Sequence, residues 1–267
     1  CLIIIVGGLT RLTDSGLSIT QWQLFSGVFP PVSENEWVYY FNLYKEIPEF
    51  KLQNYSMSMQ EFKVIFWWEW IHRFLGRLIG LSLLIPLIFF SFKISRKRLF
   101  NLYLIFLLVC FQGFVGWYMV ASGLVDRVDV SHFRLSAHLF IAFFILSCLV
   151  WYYLNLKNSA NKNFIVNNSV LGSIKFFIFL IFLQIIFGAF VSGLDAGKVY
   201  QTWPLMNETY FPNDVNFKDY REFLDLNDRS VVQFFHRNIA YLILIVFVYI
   251  GFKIKQLNMT HLYNSYS

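Results

Sequence analysis

Apolar residues in this chain come in long, nearly unbroken runs, and the polar residues are gathered between them. Five runs reach the length of about 20 residues that a helix needs to cross a hydrocarbon core: roughly 67–92, 99–121, 135–154, 172–193 and 231–252. A helix apolar on every side is what a bilayer requires, since backbone groups there have no water to bond. The opening stretch CLIIIVGGL is too short to span and lacks a basic leader, so it reads as the end of a helix whose start is missing. KIKQLNMTHLYNSYS forms a polar tail after the last run.

Composition agrees with that pattern. The chain is 57% hydrophobic, 21% aromatic and only 14% charged, with a mean hydropathy of +0.52, against about a quarter charged in soluble domains. All 16 acidic residues fall within 10–69, 126–129 and 195–228. Lys93, Arg96, Lys97, Arg98, Lys157, Lys162, Lys175, Lys253 and Lys255 sit at the opposite ends of the runs. The positive-inside rule places that basic set on the cytoplasmic or matrix side. Topology therefore accounts for most of the net charge of +6, and no nucleic acid is needed as a partner. Cys1, Cys110 and Cys148 lie within apolar runs and the external loops hold no cysteine, so no disulfide framework is expected.

Two stretches repeat. VGGLTRLTDSGLSITQW at 6–22 is similar to VSGLDAGKVYQTW at 191–203, and IHRFLGRLIG at 71–80 to FHRNIAYLIL at 235–244. In each copy a helix end rich in small residues leads into an external loop, and a later run opens with His-Arg. A duplicated unit of about four helices is implied, its second copy incomplete. QGFVGWYMVASG and QIIFGAFVSG place small residues where helix backbones can approach closely; packing alone explains them.

Three of the five histidines, His72, His138 and His236, fall inside runs, about three to six residues past the outer start and hence some 5–9 Å deep. Ionisable groups in a bilayer face a bundle interior or cavity, so imidazoles at one level are candidates to hold a metal or cofactor. The close Cys and His spacing of a structural zinc site is absent, whereas haem iron takes axial histidines from facing helices. Gly76, Ala142 and Ala240 follow these histidines by four residues and leave flat space, although Ser136 and Ser265 stand likewise after His132 and His261. Loop His132 is expected to be an interfacial polar residue, and tail His261 incidental.

Arg73, Arg77, Arg134 and Arg237 flank the membrane histidines. Their guanidinium forks suit haem propionates; snorkelling to the interface is the simpler alternative. Glu69 precedes His72 by three residues and so shares its helical face. It is placed either to pair with Arg73 or to act as a carboxylate beside a reacting group. These residues leave open a haem enzyme, a bis-His cytochrome b that only passes electrons, and a proton-coupled transporter.

Several long motifs occur in order: GGLTRLTDSGLSITQW, EWIHRFLGR, QGFVGWYMVASGL, RLSAHL, VSGLDAGKVYQTWPLMN and FFHRNIAY. From residue 6 to about 245 the chain resembles the haem A synthase family, in the branch of proteobacteria and mitochondria that lacks external cysteines. The resemblance implies an all-α integral membrane protein of two pseudo-symmetric four-helix bundles, 1–154 forming the first and 172–267 an incomplete second. It implies oxidation of the C8 methyl of haem O to a formyl group, by way of a hydroxymethyl, for cytochrome oxidase. His72 and His138 would face the substrate haem iron, Glu69 would be catalytic beside them, and His236 would be an axial ligand of a haem b cofactor. Arg73, Arg77, Arg134 and Arg237 would hold propionates. The family's other second-half ligand lies on its last helix, for which this chain has no counterpart, so a fragment is expected. Implied partners are haem O synthase (protohaem farnesyltransferase), cytochrome oxidase assembly factors and membrane lipid, with a homo-oligomer compatible. The location implied is a bacterial cytoplasmic membrane or the mitochondrial inner membrane.

Overall fold

A computed structural model describes residues 1–23, 26–126, 128–157, 168–216 and 218–256. The chain divides into two compact units, Cys1–Asn155 and Leu156–Ser267. Among the described residues the regular structure is helical throughout. Five helices are long and apolar enough to cross a membrane, and the protein is a multi-pass integral membrane protein. Outward-facing Ile85, Ile88, Leu107, Trp151, Phe179, Leu244 and Ile245 are exposed along these helices, as surfaces meant for lipid should be.

In the first unit the elements are α1 (Leu2–Leu12), α2 (Glu34–Lys45), α3 (Pro48–Leu52), α4 (Met59–Ser91), α5 (Arg96–Asp126) and α6 (His132–Lys157), whose last turn straddles the division. The short helices α2 and α3 build an external cap. Trp37, Phe41 and Tyr44 of α2 pack on Phe62, Ile65 and Phe66 of α4, joined by Leu17, Ile19 and Val130. Edge-on contact between Trp37 and Phe66, with centroids 5.1 Å apart, is typical of this cluster. At the end of α1, Arg11 bridges Asp14 and Asp129, both at 2.9 Å, tying that helix to the 128–131 segment.

The second unit contains α7 (Asn168–Gly193), α8 (Tyr220–Phe223) and α9 (Arg229–Gln256). Phe190, Ala196 and Val232 form a core where α7 meets α9. Outside the helices, Asp214 accepts from Tyr200 Oη at 2.5 Å and Ser230 Oγ at 2.6 Å, folding the 200–214 loop back on the start of α9. Lost hydration would raise the Asp214 carboxyl, but the Ser230 and Tyr200 hydroxyls outweigh it and hold the group below its ordinary range.

The helices begin earlier than the apolar runs. α4 starts at Met59 rather than near 67 because Ser58 and Glu61 form a capping box, with Glu61 N donating to Ser58 Oγ and Ser58 N to Glu61 Oε2. His72 thus sits more than three turns into its helix, although it lies near the start of the apolar run. Asp228 caps α9 by accepting from Val231 N at 2.8 Å. His132 is not a loop residue: it opens α6 and is only 6% exposed, its ring against Phe133. The Ser131 carbonyl, accepting from Leu135 N, already closes the first helical turn there. His261 and Ser265 lie outside the described residues.

Candidate functional site

Each membrane histidine rests against a glycine of another helix. A Cβ built on Gly7 would lie 2.8 Å from His72 Cε1, one on Gly116 2.9 Å from His138 Cε1, and one on Gly188 3.2 Å from His236 Cε1. Only glycine lets an imidazole ring come this close to a helix backbone. Gln112 and Gln184, one turn before Gly116 and Gly188, bring their Nε2 atoms 3.2 Å from His138 Nε2 and His236 Nε2. The Gln112 amide also donates to the His138 carbonyl at 3.0 Å. Nδ1 of His72, His138 and His236 is buried without a hydrogen-bond partner.

Outside the histidines lies a clamp. Glu69, 3% exposed, accepts from Ser18 Oγ and Ile19 N, both at 2.7 Å, and from Arg73 Nη2 at 2.5 Å. Arg73 also donates to the carbonyls of Ile19 (2.8 Å) and Gln21 (3.3 Å), and Arg77 to that of Gln23 (2.8 Å). The loop with the sequence SITQ is thereby fastened to α4 by groups one turn apart. Arg73 and Arg77 also line a small pocket of about 20 Å³ with Gln21, Gln23, Tyr40 and Trp70. Arg134 lies over the Tyr118 ring, 4.7 Å from its centroid.

The second unit repeats this clamp. With Trp22 aligned on Trp203, the loop copies match without a gap back through Ile19 and Tyr200, Asp14 and Asp195, and Gly7 and Gly188. Asp14 and Asp195 both adopt a left-handed backbone, φ 47° and 53°, a conformation Asp tolerates better than most residues. Arg237 donates to the carbonyls of Tyr200 (2.7 Å), Thr202 (2.8 Å) and Leu205 (3.3 Å), as Arg73 does to those of Ile19 and Gln21. Gln233 takes the place of Glu69: its Oε1 accepts from Tyr200 N at 3.2 Å and its Nε2 donates to Tyr200 O at 2.9 Å.

The structure therefore brings Glu69, Arg73 and Arg77 together around one loop, and sets His236 and Arg237 in the corresponding turn of α9. The guanidiniums of Arg73, Arg77 and Arg237 bond loop carbonyls, a use different from the propionate binding that the resemblance implies. Gln112, Gln184, Gln233 and the three cradle glycines escaped the sequence reading. For Gln112, Gly116, Gln184 and Gly188 the only signal was the shared Gln-x-x-x-Gly spacing, which packing alone seemed to explain; Gly7 and Gln233 carried none of that spacing. The donor set fits an iron porphyrin: three buried imidazoles each keep a ring nitrogen free of protein partners, and each ring is cradled by a glycine.

A family model described as cytochrome oxidase assembly protein (COX15-CtaA) matches residues 1–266. A relative from Pelagibacter ubique named heme A synthase is 52% identical over 254 residues, covering 94% of this chain and 74% of its own length. Relatives of the same name from Parvibaculum lavamentivorans and Maricaulis maris are 44% and 45% identical, each covering 93% of this chain and 72% and 73% of their own. No solved structure matches. With the motif order, the paired clamps and a match across nearly every residue, the chain belongs to the cytochrome oxidase assembly protein family.

Proposed function

We propose that this protein is a haem A synthase, an integral membrane oxidoreductase that converts the C8 methyl of haem O to a formyl group through a hydroxymethyl and then the hydrate of the aldehyde. The observation that carries the reading is Glu69: a buried carboxylate one turn from His72, on a helix face where the second unit needs only the amide of Gln233. An electron-transfer cytochrome has no use for that difference.

In this reading His72 and His138 of the first unit would face the iron of haem O, and His236 would hold a haem b in the second unit. Bound there, haem b supplies a one-electron outlet for the oxidation. Glu69 accepts protons from the reacting carbon or stabilises positive charge developing on it. Arg73 and Arg77 border a small pocket beside the loop, where their guanidiniums would meet substrate propionates. Arg134 and Arg237 serve the same end in their own helices. Glycine cradles fix the rings, and the apolar outer faces admit a farnesylated substrate from lipid. Protohaem farnesyltransferase would supply the substrate, and cytochrome oxidase assembly factors would receive the product.

The test is Glu69→Gln in the full-length enzyme. The amide keeps the acceptor for Ile19 N, so haem b content should stay normal while haem O or the alcohol accumulates in extracted pigments. A wild-type haem A yield would remove Glu69 from the chemistry.

A further inference from the structure

Three groups bond the Glu69 carboxylate, and the second unit shows which of them the loop itself needs. The Ile19 N–H has its counterpart in that of Tyr200, which reaches Gln233 Oε1, and Arg73 has its counterpart in Arg237, which bonds the matching carbonyl. Arg77, whose place in α9 is taken by neutral Tyr241, is engaged with the Gln23 carbonyl. The third donor to the acid is the Ser18 hydroxyl, 2.7 Å from Glu69 Oε2. On the alignment that pairs Ile19 with Tyr200, Ser18 falls on Val199, whose side chain has no hydrogen-bonding group. Ser18 is 1% exposed, and its single hydroxyl proton has a nearer acceptor in Glu69 than in the Ile65 carbonyl at 3.3 Å. The hydroxyl is therefore present beside the carboxylate and missing beside the amide, although both loops are anchored.

We propose that Ser18 is a positioning residue for the Glu69 carboxylate, one that reserves a single oxygen of the acid for the substrate. The proposal rests on the reading above that Glu69 takes part in the oxidation. An ionised carboxylate offers about four lone-pair sites, two on each oxygen. Ser18 Oγ and Ile19 N fill the two on Oε2, and Arg73 Nη2 fills one on Oε1. The site left over belongs to Oε1, so a proton or a developing positive charge on the substrate meets one oxygen in a fixed plane. Without the hydroxyl, Oε2 regains an open site and the carboxylate is freer to turn about its terminal torsion, which has no sharp minimum of its own. Gln233 anchors its loop through one N–H and one carbonyl and has no such plane to hold.

The experiment follows haem A formation by the full-length enzyme in detergent over a range of haem O concentrations, with melting temperature measured alongside. Ser18→Ala leaves the Ile19 N–H and Arg73 in place, so the loop should stay anchored and KM should remain within about twofold of wild type. Its kcat should fall about tenfold, because a hydrogen bond to a charged group is worth roughly that much or more. Ser18→Cys, whose thiol is a weak donor, should lie between the two, and it carries the same comparison should Ser18→Ala not fold. A kcat within about twofold of wild type overturns the proposal, as does a loss confined to KM or to melting temperature, or a Ser18→Cys enzyme no faster than Ser18→Ala. Wild-type turnover in Glu69→Gln would instead defeat the reading of the acid itself, whatever Ser18 does.

Discussion

Substituting Gly7 by alanine tests whether the imidazole is positioned by the glycine behind it. The added Cβ would stand 2.8 Å from His72 Cε1, 3.3 Å from Nδ1 and 3.6 Å from Nε2. Carbon atoms settle at about 3.5–4.0 Å, so the ring or α1 must retreat by about 0.7 Å or more. Overpacking of this kind costs about 1–3 kcal/mol, against a gain of about 1 kcal/mol when alanine replaces glycine inside a helix. The net loss in stability should therefore stay below about 2 kcal/mol, and the protein should fold. Catalysis is less forgiving, because a displacement near 1 Å at a reacting centre can cost about a hundredfold. Gly8 is the internal control, since a Cβ there meets nothing within 4 Å. Both variants would be purified in detergent, melted, and assayed for haem A formed per folded molecule. Gly8→Ala should match wild type in turnover, with Gly7→Ala reduced at least tenfold. Equal turnover of the two variants, or a Gly7→Ala defect confined to melting temperature, would refute the reasoning.

Two further outcomes follow from the external segments. Burial pushes the Glu49 carboxyl up to about 8, outweighing the hydrogen bond from Tyr44 Oη at 3.0 Å; its folded value lies above its unfolded one, so its contribution is complete below about pH 4.5 and is lost as pH rises through 8, at up to about 1.4 kcal/mol per pH unit. Melting curves from pH 6 to 9 should decline in wild type and flatten in Glu49→Gln, and parallel declines would contradict the assignment. Arg237→Lys leaves one ammonium to serve the carbonyls of Tyr200, Thr202 and Leu205, at a cost of about 1–3 kcal/mol for each acceptor stranded; limited proteolysis of the 200–216 loop should speed up, and an unchanged cleavage rate would mean that the clamp does not hold it.

Much of this architecture was legible in the chain because bilayer crossing is written in long apolar runs, and all five runs became helices. The repeated words at 6–22 and 191–203 also carried through to matched hydrogen bonds. Hydropathy could not locate the start of α4, since the capping box at Ser58 and Glu61 is polar and precedes the apolar run. The external helices α2 and α3 were missed for a similar reason: their apolar residues face one side only and compete with Glu34, Glu36 and Glu46 for the average. His132 was misjudged because the chain around it, DVSHF, reads as loop until Ser131 is seen to start a helix.

The arginines teach a different lesson about the site. His-Arg pairs suggested propionates, yet an extended loop lying against a helix in a poorly hydrated layer must find partners for its own N–H and C=O groups. In the second unit Gln233 meets both needs of Tyr200 alone, accepting its N–H and donating to its carbonyl, with Arg237 reinforcing the latter. In the first unit Glu69 can only accept, so Arg73 must take the Ile19 carbonyl and neutralise the acid as well. A buried ion pair suffers desolvation that an amide avoids. The neutral copy shows that anchoring does not require the charge, so the reason for keeping a carboxylate at position 69 has to be sought in the chemistry proposed beside His72.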